Sequence, residues 1–148
     1  MSEWRDIRTQ TDIEILMSEY ADFHDSCIVS VHYESGSSVD ERGAMSNGGS
    51  EEKILLLTMH SQWAQKPIEL RFVGVRQFGF AGWQANYFCD IYACSLEFRT
   101  DLQGKGMDTP LIVWSDQCGT LDHTPALLDE PMSSFVISAA LSYRILEG

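Results

Sequence analysis

Residues 134–146 carry the pattern that most limits the fold: Phe135, Ile137, Ala139, Leu141, Tyr143 and Ile145 fall on every second position. An extended strand puts such a set on one face, whereas a helix at about 3.6 residues per turn would scatter it. The same period marks 52–60, 68–75, 88–99 and 111–116. It also starts at Cys27, where Cys27, Val29, Val31 and Tyr33 oppose Ile28, Ser30, His32 and Glu34. About six strands are expected. The seven residues 61–67, closing on Pro67, suit an antiparallel hairpin between 52–60 and 68–75, and Phe78-Gly79-Phe80-Ala81-Gly82 reads as a glycine-punctuated loop.

One helix precedes these strands. Thr11-Asp12-Ile13-Glu14 fits a capping box, in which hydroxyl and carboxylate each satisfy an orphan backbone amide. Ile13, Leu16, Met17, Tyr20 and His24 then follow at helical spacing, an apolar stripe able to lie across a sheet, and Asp25 and Ser26 end it. A helix followed by strands, without long helical crossovers, predicts an α+β fold. The expected picture is an N-terminal helix packed on a strongly bent, mainly antiparallel sheet or half-open barrel. Segment 35–50, rich in Gly, Ser and Asp, reads as a flexible loop, and 104–110 and 117–131 as turn or loop.

A length of 148 residues suits one domain, 1–148, and 44% hydrophobic with 22% charged residues excludes a disordered chain. The polar start Met1-Ser2-Glu3-Trp4-Arg5-Asp6 has no apolar run behind it, so no signal peptide is expected. Ile54-Leu55-Leu56-Leu57 is the longest aliphatic run, far short of the roughly 20 residues a membrane helix needs. A soluble, cytoplasmic protein is expected, with Cys27, Cys89, Cys94 and Cys118 as thiols. The net charge is −12, of which −9 lies in the first 52 residues. Such a field repels nucleic acid and anionic membranes, so the expected macromolecular partner is a basic protein.

The chemistry-bearing motifs are sparse. His24-Asp25 has the form of the adjacent pair in metal-dependent phosphohydrolases, but the further ligands of that chemistry are missing, and His24 is expected to bond to Asp25 or Ser26. His24 with Cys27, and Cys118 with His123, lack the paired spacing of a zinc site. There is no Gly-x-Ser-x-Gly elbow and no phosphate-binding glycine loop. No catalytic, cofactor-binding or metal-ligating residue is therefore assigned. Trp63 and Tyr87 bracket two loops together with Phe78, Phe80 and Trp83; the candidate interface or pocket comprises His24, Asp25, Phe78, Phe80 and Trp83.

Phe23-His24-Asp25-Ser26 at a helix-to-strand junction, Leu70-Arg71-Phe72-Val73-Gly74-Val75-Arg76 and Ser142-Tyr143-Arg144-Ile145-Leu146 together resemble a group of small bacterial proteins, the immunity protein fifty family. The resemblance implies binding and transfers no catalytic residue. An immunity-type protein that binds and neutralises a partner toxin is the expected class. The alternatives are a small-molecule binding protein or enzyme with a pocket near the helix-to-strand junction, and a structural or accessory subunit.

Overall fold

Thr9, two residues before the expected position, caps the helix. The computed structural model describes residues 3–82, 91, 94–104, 106–116 and 134–147, so Trp83, Cys89, Cys118, His123 and the expected loop 117–131 lie outside the described residues. Helix α1 spans Gln10–Glu19, and the Thr9 hydroxyl accepts from the Asp12 amide at 3.1 Å. Asp12 returns the bond, its Oδ2 accepting from the amides of Thr9 at 3.0 Å and Arg8 at 2.9 Å. The expected Thr11–Glu14 box is thus corrected to Thr9–Asp12: a shorter acid reaching back over the chain satisfies two amides, and Thr11 lies inside the first turn. Bonding to the Arg8 amide, first among several causes, holds the Asp12 carboxyl below its usual value.

The helical stripe also stops early. Ile13, Leu16 and Tyr20 are buried, but α1 ends at Glu19, and His24 follows a tight left-handed turn instead of extending the stripe. The Tyr20 hydroxyl donates to the Lys66 carbonyl at 2.5 Å, and burial pushes it up to about 12.

The strands are β1 (Arg5–Ile7), β2 (Ser26–Glu34), β3 (Ser38–Val39), β4 (Met45–Ser46), β5 (Ile54–Ser61), β6 (Pro67–Gly79), β7 (Ser95–Arg99), β8 (Leu111–Ser115) and β9 (Phe135–Ile145). The large sheet runs β2-β5-β6-β9-β8-β7, with β1 added along β9. Every pairing in it is antiparallel. With α1 against it, this is the expected α+β fold, and the described sheet does not close into a barrel. Ser26, at the start of edge strand β2, exchanges backbone bonds of 3.0 and 2.7 Å with Ile91, which lies outside the named strands.

Register explains the main core. Leu55, Phe72 and Leu141 lie opposite one another across β5, β6 and β9, as do Leu57, Leu70 and Tyr143, and Met59, Ile68 and Ile145. Alternate residues of three strands thus bury one continuous face, on which Leu16, Tyr20 and Phe23 close. The reverse face carries the Glu69–Arg144 ion pair at 3.2 Å, with the guanidiniums of Arg71 and Arg144 over the Trp4 ring at 4.3 and 4.5 Å.

β9 does not keep one face to that core, contrary to the period read from 134–146. Leu141 and Tyr143 face it, but earlier in the strand Val136 takes that side, while Phe135 and Ile137 join Leu111 and Val113 in a second cluster. The reversal falls at exposed Ala139 and Ala140, where Ser138 Oγ donates forward to the Ala140 carbonyl at 2.9 Å. Opposite, Gly74 holds φ +71 with no room for a side chain against Ala139, and the β6–β9 register slips between Val75 and Gln77. Bulged residues turn each strand over and bend the sheet.

Segment 35–50, read as a loop, contains a short two-stranded hairpin. β3 and β4 form a hairpin whose Asp40 carboxylate accepts from the Arg42 and Ala44 amides at 2.8 and 3.0 Å. Lys53 fastens the base, its Nζ donating to the carbonyls of Ser35 and Asn47.

Candidate functional site

Between α1 and β2 the chain takes a conformation that L-residues avoid. Ala21, Asp22 and Phe23 have φ of 53, 55 and 58°, and Asp25 follows at 51°. Each left-handed residue costs about 1–2 kcal/mol. Complete burial of the Phe23 ring, worth about 1.5–3 kcal/mol, offsets part of this.

The β5–β6 turn supplies the remaining restraint. Ser61 Oγ donates to the His24 carbonyl at 3.0 Å and accepts from the amides of Trp63 at 3.0 Å and Ala64 at 3.2 Å. The Gln62 amide donates to the Asp25 carbonyl at 3.2 Å. Trp63 Nε1 donates to Asp25 Oδ2 at 2.9 Å, and its ring stacks on His24 with centroids 5.7 Å apart. His24 Nε2 lies 3.4 Å from the same Asp25 oxygen. His24 and Asp25 therefore do meet, as expected from their adjacency, but the group that organises them comes from a turn nearly forty residues away. Trp63 remains 63% exposed although its ring is held on two sides.

This corner borders a cavity of about 590 Å³ lined by Asp25, Ser26, Cys27, His60, Ser61, Gln62 and Gln65. β2 and β5 build the wall, with Ser26 opposite Ser61 and Cys27 opposite His60. Of these seven residues Asp25 alone is formally charged at neutral pH. Neighbouring Lys66 is turned towards Glu147, 3.7 Å away. Asp25 Oδ2 is engaged by Trp63, and the Asp25 side chain is 34% exposed. Ser26 is 1% exposed, its backbone is fully paired with Ile91, and its Oγ has no hydrogen-bond partner. Cys27 is an exposed free thiol opposite His60 on the neighbouring strand. Among the described residues, no group of three or more His, Cys, Asp or Glu gathers to hold a metal.

The aromatic candidates fall elsewhere. Phe78, expected in a loop, is on β6 opposite Val136, and Phe80 packs against the main core. They form a file from surface to interior: Tyr33 to Phe78 at 4.7 Å, Phe78 to Phe80 at 6.1 Å, Phe80 to Trp114 at 6.4 Å. Tyr33 is near the far end of β2 from Ser26, about 23 Å along the strand. The candidates thus divide between two places, His24 and Asp25 at one, Phe78 and Phe80 at the other, while Trp83 lies outside the described residues.

Sequence reasoning missed His60, Gln62 and Gln65, did not count Ser26 among the candidate residues, and named Trp63 among the aromatics bracketing two loops without bringing it to His24 and Asp25. The signal that could have found them is the β2–β5 register, which sets 26 opposite 61. No described helix is long and apolar enough to cross a membrane. No family model matches the chain, and neither a curated protein nor a solved structure matches it at a significant level.

Proposed function

We propose that this protein works by binding a basic macromolecular partner at the His24–Asp25–Trp63 corner, as an immunity-type protein that occludes a toxin's active surface would. The observation that carries the reading is Trp63: a large aromatic, mostly exposed, yet fixed by the His24 stack and the Asp25 bond beside a cavity. A preorganised indole loses little conformational freedom on docking, and such residues dominate binding energy at protein interfaces. The charge of −9 in the first 52 residues favours a basic partner. A second reading, small-molecule binding, draws support from the cavity itself.

The test is affinity capture from the source organism with the wild-type chain and Trp63→Ala as parallel baits. The expected result is a basic protein held by the wild type, lost with Trp63→Ala, and inhibited in its own activity at one equivalent of the wild type. An acidic partner, or one retained equally by both baits, would sink the reading.

A further inference from the structure

We propose that the outer edge of β2 is a second contact for the basic partner, which lays an extended segment of alternating apolar and basic residues along 27–34 as a further strand of the sheet. This rests on the partner being a basic macromolecule and names the form in which it docks.

Strand β2 ends the sheet and is bonded along its inner side to β5. Among the described residues, its outer side is paired only at Ser26, with Ile91. Cys27, Val29, Ser30, Val31, His32 and Glu34 are exposed, Val29 at 61%. In an antiparallel ladder alternate residues turn their N–H and C=O groups away from the neighbouring strand, so such an edge is a row of unused donors and acceptors. Edges of this length are ordinarily guarded by lysine, proline or a charge along the strand. β2 contains no Lys, Arg or Pro, and its one carboxylate, Glu34, stands at the far end. A bulge at Val29 is its guard, and it leaves 30–34 in unbroken register with β5. By contrast β7, at the other end of the sheet, is five residues long and carries both Glu97 and Arg99.

The two faces of this edge differ. On the core side Val31 and Tyr33 stand opposite Leu57 and Leu55, and the Tyr33 ring meets that of Phe78, itself 38% exposed, at 4.7 Å. On the other side are Ser30, His32 and Glu34. An added strand alternates its side chains between these faces, so its apolar residues fall beside Val31 and Tyr33 and its polar ones beside Ser30, His32 and Glu34. Charge decides the sign of the polar ones: residues 9–41 hold eight Asp and Glu and no Lys or Arg. A second copy of this chain would bring the same acidic segment against itself, whereas a basic segment is attracted to it.

The test is a titration of the full chain with a blocked peptide alternating lysine and valine over about seven residues, and with the same peptide N-methylated at its inner residues. N-methylation keeps charge and side chains but removes the N–H donors. The first peptide is expected to bind saturably, to slow hydrogen exchange at alternate amides of 27–34, and to bind about tenfold more tightly than the second. A peptide alternating glutamate and valine should bind about tenfold more weakly than the lysine peptide. Val31→Lys, which gives the exposed edge the guard it lacks, is expected to lower affinity about tenfold with the melting temperature close to that of the parent. Equal affinity of the lysine peptide and its N-methylated form, or exchange in 27–34 that is not slowed at alternate amides, overturns the added strand. A concentration-dependent dimer that Val31→Lys dissolves assigns the edge to a second copy and overturns the basic segment.

Trp63→Ala separates this edge from the corner. Capture of a basic protein that needs Trp63 yet is unchanged by Val31→Lys overturns the added strand and keeps the corner reading. Alternating protection by the lysine peptide in the wild type and Trp63→Ala alike, with no basic protein captured, keeps the edge as a strand acceptor and overturns the corner reading.

Discussion

Asp116, just beyond β8, accepts from the Ser134 amide at 2.9 Å, and burial pushes its carboxyl up to about 6 from 3.8. The native state therefore holds this proton more tightly than the unfolded chain. Stability from this group is complete below pH 3.8 and is lost as the pH rises towards 6. A gap of that size corresponds to at most about 3 kcal/mol, and solvent around a half-buried carboxyl reduces it to about 1 kcal/mol. Asp116→Asn keeps the acceptor and removes the charge, so denaturant unfolding at pH 8 should show a gain of about 1 kcal/mol that vanishes by pH 3. At the corner, Ser61 serves three backbone groups and His24 offers a ring face. Ser61→Ala should therefore cost about 1–3 kcal/mol, against about 0.5–1.5 kcal/mol for His24→Ala, with chemical denaturation ranking the pair. A larger loss from His24→Ala would show that the stack, and not the hydroxyl, holds the turn.

The capping pair Thr9 and Asp12 defines the start of α1, so Thr9→Ala should cost about 1 kcal/mol while Thr11→Ala stays within about 0.5 kcal/mol, as urea melts of the two variants would report. Period two is legible where one-sided burial imposes it, as Leu55, Leu57 and Met59 on β5 illustrate, whereas every residue of β8 is buried. The alternation failed where backbone irregularity intervened. Ala139 continues the apolar period of β9 in composition, yet the strand exchanges its faces at Ala139 and Ala140, beside the register slip between Val75 and Gln77 of β6, and methyl groups are too small to signal which side they occupy. β1 and the β3–β4 hairpin, three and two residues long, fall below the length at which a period can be recognised. The corner was half legible: His24 and Asp25 stand out as adjacent polar residues, but Trp63 reaches them only through the Ser26–Ser61 register, a tertiary relation with no local pattern. Ser26 was invisible for the same reason, since a serine at a strand start looks alike whether its hydroxyl is bonded or orphaned.

Across the molecule the acidity is a long-range property and acts on encounter more than on residence. Reversing Glu14 and Asp22 should slow capture of a basic partner, and raising salt from 0.1 to 1 M, which shortens the Debye length from about 10 to about 3 Å, should do the same. Stopped-flow association against salt, with dissociation measured separately, would expose the opposite pattern. Glu19 is a poorer choice because it pairs with Arg5 at 2.7 Å, so its reversal would also disturb the α1–β1 contact. The Lys53 clamp across Ser35 and Asn47 has a practical corollary for labelling. Because the clamp fixes both ends of the excursion, sequence added at its tip beyond Arg42 is decoupled from the sheet, and each doubling of loop length adds only about 0.6 kcal/mol of closure entropy. An epitope or fluorophore-accepting peptide placed between Arg42 and Gly43 should leave the melting temperature within a few degrees of the parent, and the same insertion after Lys53→Ala should not, which makes this hairpin a handle for immobilising the protein with its cavity facing free solution.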